Sequence, residues 1–140
     1  MQITIEQKQI TYELASSLIN AAIEHAKTLN LSICTAIVDP SGELIAFAKM
    51  DNCCLIGIGT AQGKAYTAAR SGLSTRDFLA YLKENEVDLN SLKKENLVII
   101  PGGLPILYQD ALIGGIGIGG GTGEQDEECA QNALKKLIEQ

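Results

Sequence analysis

Apolar positions along the chain follow two rhythms that alternate from one end to the other. Leu14, Ala15, Leu18, Ile19, Ala22, Ala26 and Leu29 recur at i, i+3, i+4 spacing, which predicts a helix buried along one stripe. Thr4 and Gln7 form a capping-box pattern, so the helix is expected from Thr4 to about Leu29. Ser32–Val38 then reads as a strand, with Ile33, Thr35 and Ile37 on one face and Cys34, Ala36 and Val38 on the other. Both faces are largely apolar, as in a central strand covered on both sides. Asp39-Pro40-Ser41-Gly42 is a turn, and Glu43–Met50 returns as a second strand to form an antiparallel hairpin.

A helix of small residues follows, about Ile58 to Arg70, with Ala61, Ala65, Ala68 and Ala69 giving it a thin face. Ser74–Asp77 matches a capping box for a short helix through Leu82, and Asp88–Glu95 is a polar connection. Leu97–Ile100 reads as a short strand. Ile106–Gln109 and Ala111–Ile118 read as a second hairpin, and a final amphipathic helix runs from about Glu124 to Glu139. The order α-β-β-α-α-β-β-β-α contains no βαβ repeat, so the pattern predicts one α+β domain over 1–140, an antiparallel sheet with helices packed on it.

Composition narrows the function classes. Aromatics make up 4% of the chain and Trp is absent, so the core must be built from Ile, Leu, Val and Ala. A net charge of -6 with no basic cluster argues against nucleic acid and against an anionic membrane surface. No apolar run approaches the ~20 residues of a membrane span, and the non-basic start does not read as a signal peptide, so a cytoplasmic protein is expected. Cys34, Cys53, Cys54 and Cys129 contain no C-x-x-C, which predicts free thiols and no metal cluster.

Half of the 14 glycines fall within Gly114–Gly123, between a strand and a helix. Gly115, Gly117 and Gly120 fit G-x-G-x-x-G, but a dinucleotide fingerprint needs a second strand and an acidic residue about 20 positions on. Here a single helix remains. Gly63-Lys64 is followed by Ala65, which excludes a P-loop. The glycines therefore mark a close approach, by a ligand, by another stretch of backbone or, as the leading alternative to a ligand, by a neighbouring subunit.

Lys64 and Thr67 lie on one helix flank and would set an ammonium beside a hydroxyl, suited to a carboxylate; the alternative is a solvated Lys with Thr67 bonded back to its helix. Gly102, Gly103, Gly119 and Gly120 sit in loops with unobstructed N–H groups. Glu124, Asp126, Glu127 and Glu128 oppose an anion at the last helix and suit its dipole instead. His25, the sole imidazole, borders the apolar stripe of the first helix, where it could serve as a haem ligand or as a surface contact. No nucleophile-base-acid set can be assembled, so an enzyme has less support than a binding protein.

Four segments, Ala36–Leu44 with Met50-Asp51, Gly63–Ala68, Gly102–Ile106 and Gly114–Asp126, resemble in order and spacing the GlcG/HbpS-like family, also known as PduO C-terminal-like domains. The resemblance implies a profilin-like α/β/α layering around a five-stranded antiparallel sheet, and a homo-oligomer. It implies a small anionic or tetrapyrrole ligand, haem among them, in glycolate or diol and corrinoid metabolism. Lys64, Thr67, Gly102, Gly103, Pro105, Gly119 and Gly120 are the ligand-contact residues it points to, with His25 as axial candidate. Two further readings stay open: an enzyme acting on haem or assisting corrinoid adenosylation, and a structural partner of a catabolic complex. Gly119 stands where the family often has Ser, which removes a hydroxyl from the turn.

Overall fold

A computed structural model describes residues 1–138. The first helix, α1, spans Tyr12–Thr28, not a segment beginning at Thr4. Its N-cap is Thr11, whose hydroxyl accepts the Leu14 N–H at 3.1 Å. Glu6-Gln7-Lys8-Gln9 is wholly polar, so a helical turn there would have nothing to bury. The chain instead runs without helix to Ile10, which is buried and donates its N–H to the Ile113 carbonyl at 2.9 Å.

Strands β1 (Cys34–Val38) and β2 (Leu44–Lys49) form the expected hairpin, α2 covers Ile56–Ser71, and α3 covers Thr75–Glu84 behind a Ser74 cap. Strands β3 (Gly103–Tyr108) and β4 (Ala111–Gly119) meet at Gln109 and Asp110, both at positive φ, the two-residue turn whose twist suits a tight hairpin. Helix α4 runs from Gly123 to Leu134 with a complete Thr122/Gln125 capping box. A 3₁₀ turn, Lys135–Leu137, follows, and the expected end at Glu139 lies outside the described residues.

The sheet has four antiparallel strands in the order β2-β1-β4-β3, not five. Leu97–Ile100 does not join it. The Val98 N–H donates to the Thr67 hydroxyl at 2.9 Å, and the Ile100 carbonyl accepts from the Thr75 hydroxyl at 2.7 Å. Side chains of α2 and α3 thus satisfy backbone groups that a strand would pair with a neighbour. Pro105 lies in β3, an edge strand, where a missing N–H is tolerated.

Helices α1 and α4 cover one face of the sheet and α2 the other, giving the layered α/β/α arrangement. The thick core joins Leu18, Ile19, Ala22 and Ala26 to Ile33, Ile37, Ile116, Ile118 and Cys129. The thin one joins Ala61, Ala65 and Ala69 to Cys34, Ala36 and Val38, confirming the two-faced reading of β1.

The glycine run explains that thinness. Gly115, Gly117 and Gly119 alternate with Ile116 and Ile118 and lie against α2. A methyl on Gly115 would stand 2.5 Å from the Ala65 carbonyl, and one on Gly119 would stand 2.9 Å from the Gly57 carbonyl. On Gly117 it would overlap the Ala61 carbonyl oxygen and the Ala65 nitrogen. What approaches these glycines is the backbone of α2.

Candidate functional site

Lys64 does meet a carboxylate, but an internal one. Its side chain is 4% exposed and its ammonium donates to Asp126 Oδ2 at 2.9 Å and to the Ile118 carbonyl at 2.8 Å. Asp126, 2% exposed, accepts the Gly121 N–H on Oδ1 at 2.8 Å. Every charged oxygen and the ammonium therefore has a partner, as burial of an ion pair requires. Gly102, at φ +132, makes room for the pair: a Cβ there would stand 2.8 Å from Lys64 Nζ.

Thr67 is equally engaged. Its hydroxyl donates to the Gly63 carbonyl at 2.7 Å while accepting from Val98. Thr75 donates to Ile100 and accepts the Gly103 N–H at 3.1 Å. Lys64, Gly102 and Gly103 are thus brought together, with Pro105 two positions further along β3. Gly119 and Gly120 follow directly on Ile118, whose carbonyl accepts from Lys64, and stand beside Gly57 and Thr60 and beside Ser32 and Cys53 respectively. Together these groups pin the Asn96–Gly103 segment between α2, α3 and α4. Asp126 and Thr75 were not among the expected site residues. A signal for Asp126 existed, since it sits on the same stripe of α4 as Cys129, Ala130 and Ala133.

Cys34, Cys53 and Cys129 are buried, and Cys54 is exposed. Cys34 and Cys53 lie 3.3 Å apart, sulfur to sulfur, both buried. Burial, aided by Cys34, pushes the Cys53 thiol up to about 12, and burial with the charges of Asp126 and Glu128 pushes Cys129 up to about 11. Both remain protonated at neutral pH and so are neither nucleophiles nor metal ligands. Among the described residues no three His, Cys, Asp or Glu side chains form a metal cluster.

His25 stands on the opposite face, at a groove of about 690 Å³ between α1 and α4, lined also by Ser17, Asn20, Glu24 and Asn132. Its Nε2 lies 2.6 Å from Glu128 Oε2, and Asn132 Nδ2 lies 3.3 Å from the same nitrogen. A second groove, of about 570 Å³, continues from it around Glu13 and Ser17. Its floor is Ile10, Leu14, Ile113 and Leu137, with Lys8 and Tyr108 at the rim. Both volumes fall in the range of small-molecule sites. The surface offers an imidazole held by Glu128 in a groove that continues into an apolar trough.

A family model described as haem degrading protein HbpS-like matches residues 10–135. The chain belongs to the HbpS-like family. Protein GlcG of Escherichia coli K12 is 31% identical over 109 residues, 78% of this chain and 80% of GlcG. The Klebsiella pneumoniae protein ORFY superposes with a TM-score of 0.91 at 25% identity, over 99% of this chain and 97% of ORFY. A PduOC structure, solved as a haem complex, gives a TM-score of 0.84 at 29% identity, over 91% of this chain and 94% of its own. No described helix of this HbpS-like chain is long and apolar enough to cross a membrane.

Proposed function

We propose that this HbpS-like chain is an accessory protein that binds a tetrapyrrole, haem in the first instance, on the surface formed by the two grooves beside α1. The observation that carries the reading is the likeness to the PduOC haem complex together with the placement of the sole imidazole in a groove wall. The residues fit the group. A histidine that ligates a metal usually has its other ring nitrogen held by a carboxylate, and Glu128 stands at that distance from Nε2. That leaves Nδ1 for the iron within the first groove, with Ala21 one turn away; the apolar floor of Ile10, Leu14 and Ile113 and the Lys8 cation belong to the second groove, about 16 Å from His25 along α1 by helix rise. Bound haem would supply a redox-active iron centre. Lys64, Thr67, Gly102, Gly103, Pro105, Gly119 and Gly120 serve in this reading as the frame that fixes the layers, not as ligand contacts.

Titrating purified protein with haem at micromolar concentration tests the proposal. A saturable Soret band that shifts in His25→Ala is expected; no saturable band sinks the haem reading, and an unchanged spectrum removes His25 as ligand. The description of the matched family as haem degrading favours a second reading, an enzyme acting on the bound group. Loss of the Soret band with reductant and oxygen, with a bile pigment as product, would select it.

A further inference from the structure

Helix α2 holds three glycines, and its own chain accounts for two of them. A methyl on Gly57 would press on Cys53 Sγ at 3.2 Å, and one on Gly63 would overlap the Val98 side chain. Gly59 has no such neighbour, since nothing lies within 4 Å of a methyl added there. Glycine is the poorest helix former after proline, so the fold gains nothing from keeping one at an open helical position. Gly59 lines a groove of about 550 Å³ on the α2 side of the sheet, opposite His25. Val38, Leu44, Leu97 and Val98 give this groove apolar walls, and none of the described residues lining it is charged. Its polar groups are two carboxamides and a phenol. Gln62 donates Nε2 to the Ile58 carbonyl at 3.0 Å, which leaves its Oε1 as an acceptor. Among the described residues, the Asn96 carboxamide and the Tyr66 hydroxyl have no hydrogen-bond partner. The Tyr66 ring itself is held from behind by the Asp39–Gly42 turn. Asp39 Oδ1 accepts the Ser41 and Glu43 N–H groups at 2.8 and 2.9 Å, and the Ser41 carbonyl accepts from Arg70 Nη1 at 3.0 Å. The Arg70 guanidinium lies 5.1 Å from the Tyr66 ring centroid. Gly42, at φ +91, lets the turn lie against the ring, where a Cβ would stand 2.6 Å from Tyr66 Cδ2.

We propose that this groove binds an uncharged planar nitrogen heterocycle of the nucleobase kind, lying over Gly59 and against Tyr66. An aromatic wall fixed by neighbouring groups offers a stacking face without first having to be ordered. A free carboxamide presents one donor and one acceptor side by side, the complement of a heterocycle edge that carries the same pair. Asn96 supplies that pair and Gln62 a further acceptor. The lining holds no cation to meet a phosphate, so the groove suits a nucleoside and disfavours a nucleotide, whose charge would lie against apolar walls. Gly59 then has a reason to lack a side chain, because the ring approaches the helix at that point. The inference does not rest on haem binding, since the two sites lie on opposite faces of the sheet, and failure of one leaves the other standing.

Titrating the purified, haem-free chain with adenosine, inosine and uridine, followed by backbone amide NMR shifts, tests it. At least one nucleoside should move the amides of Gly59, Gln62 and Tyr66 saturably at submillimolar concentration, and its 5′-monophosphate should bind roughly tenfold more weakly. Gly59→Ala should melt no lower than the parent yet lose roughly tenfold in affinity, a split that a glycine kept for the fold would not give. Asn96→Gly preserves the positive φ at that position, removes the carboxamide, and should lose a similar factor. No saturable shift with any of the three nucleosides, equal affinity for the monophosphate, or full affinity in either variant overturns the proposal. So does a Gly59→Ala chain whose particle mass changes in light scattering, because the groove then belongs to a neighbouring subunit.

Discussion

Gly117→Ala places a methyl group where the structure has the carbonyl oxygen of Ala61 and the nitrogen of Ala65. Both are backbone atoms of α2, so no rotamer change relieves the overlap. The helix must lift from β4 along a seam where Gly115 and Gly119 are also in contact with it. Overpacking of this kind costs roughly 1–3 kcal/mol, and a backbone obstacle puts the case at the upper end. The reduced freedom of alanine in the unfolded chain returns about 0.5–1 kcal/mol, leaving a net loss of about 2 kcal/mol. For a chain of this length about 4 °C per kcal/mol applies, so the midpoint should drop by about 8 °C. Gly59→Ala is the control. It lies within α2 with nothing within 4 Å of its added methyl, and should raise the midpoint by about 2–4 °C through helix propensity. Melting followed by circular dichroism at matched concentration reads both. A Gly117→Ala midpoint within 2 °C of the parent, or an equal drop for Gly59→Ala, would refute the account of the seam.

Other outcomes follow from the buried polar groups. Lys64→Met should lower unfolding free energy by about 3–5 kcal/mol by stranding Asp126, whereas Lys64→Met/Asp126→Leu should recover most of it; urea titration checks both, and a double variant as unstable as the single would contradict the pairing. Thr67→Val removes the acceptor of the Val98 N–H and should cost about 1–3 kcal/mol, with faster amide exchange at Val98 than at α2. The raised thiols of Cys53 and Cys129 keep their protons in the folded state above pH 9.0, where unfolded thiols ionise. Their contribution is fully present below pH 9.0 and is lost as pH climbs toward 11 and 12, so stability should fall across that window; a flat alkaline profile would be the contrary result. In native protein Cys54 alone should react rapidly with a thiol reagent, all 4 cysteines reacting once denaturant is added.

Periodicity disclosed the helices, the hairpin around Asp39–Gly42 and the two faces of β1, because each is a local pattern with a single satisfactory burial. It misplaced the start of α1, since the Thr4/Gln7 pattern satisfies capping chemistry equally well where no apolar face follows it. It also made a strand of Leu97–Ile100, whose apolar residues are real but whose backbone partners are the hydroxyls of Thr67 and Thr75, distant in sequence. Lys64 and Asp126 stand 62 positions apart, so their pairing could not be read from spacing.

The glycine seam has a consequence for how this chain can vary. On β4, Ile116 and Ile118 face a layer of side chains that can be repacked, so other branched residues can replace them as neighbours adjust. Gly115 and Gly117 meet main chain of α2 first, which has no smaller alternative to offer, and Gly119 meets the Thr60 hydroxyl together with the Gly57 backbone. Their spacing therefore works as a thickness gauge, fixing how far α2 stands from the sheet. Sequences that keep Gly-x-Gly-x-Gly here preserve a distance, whether or not they share a ligand.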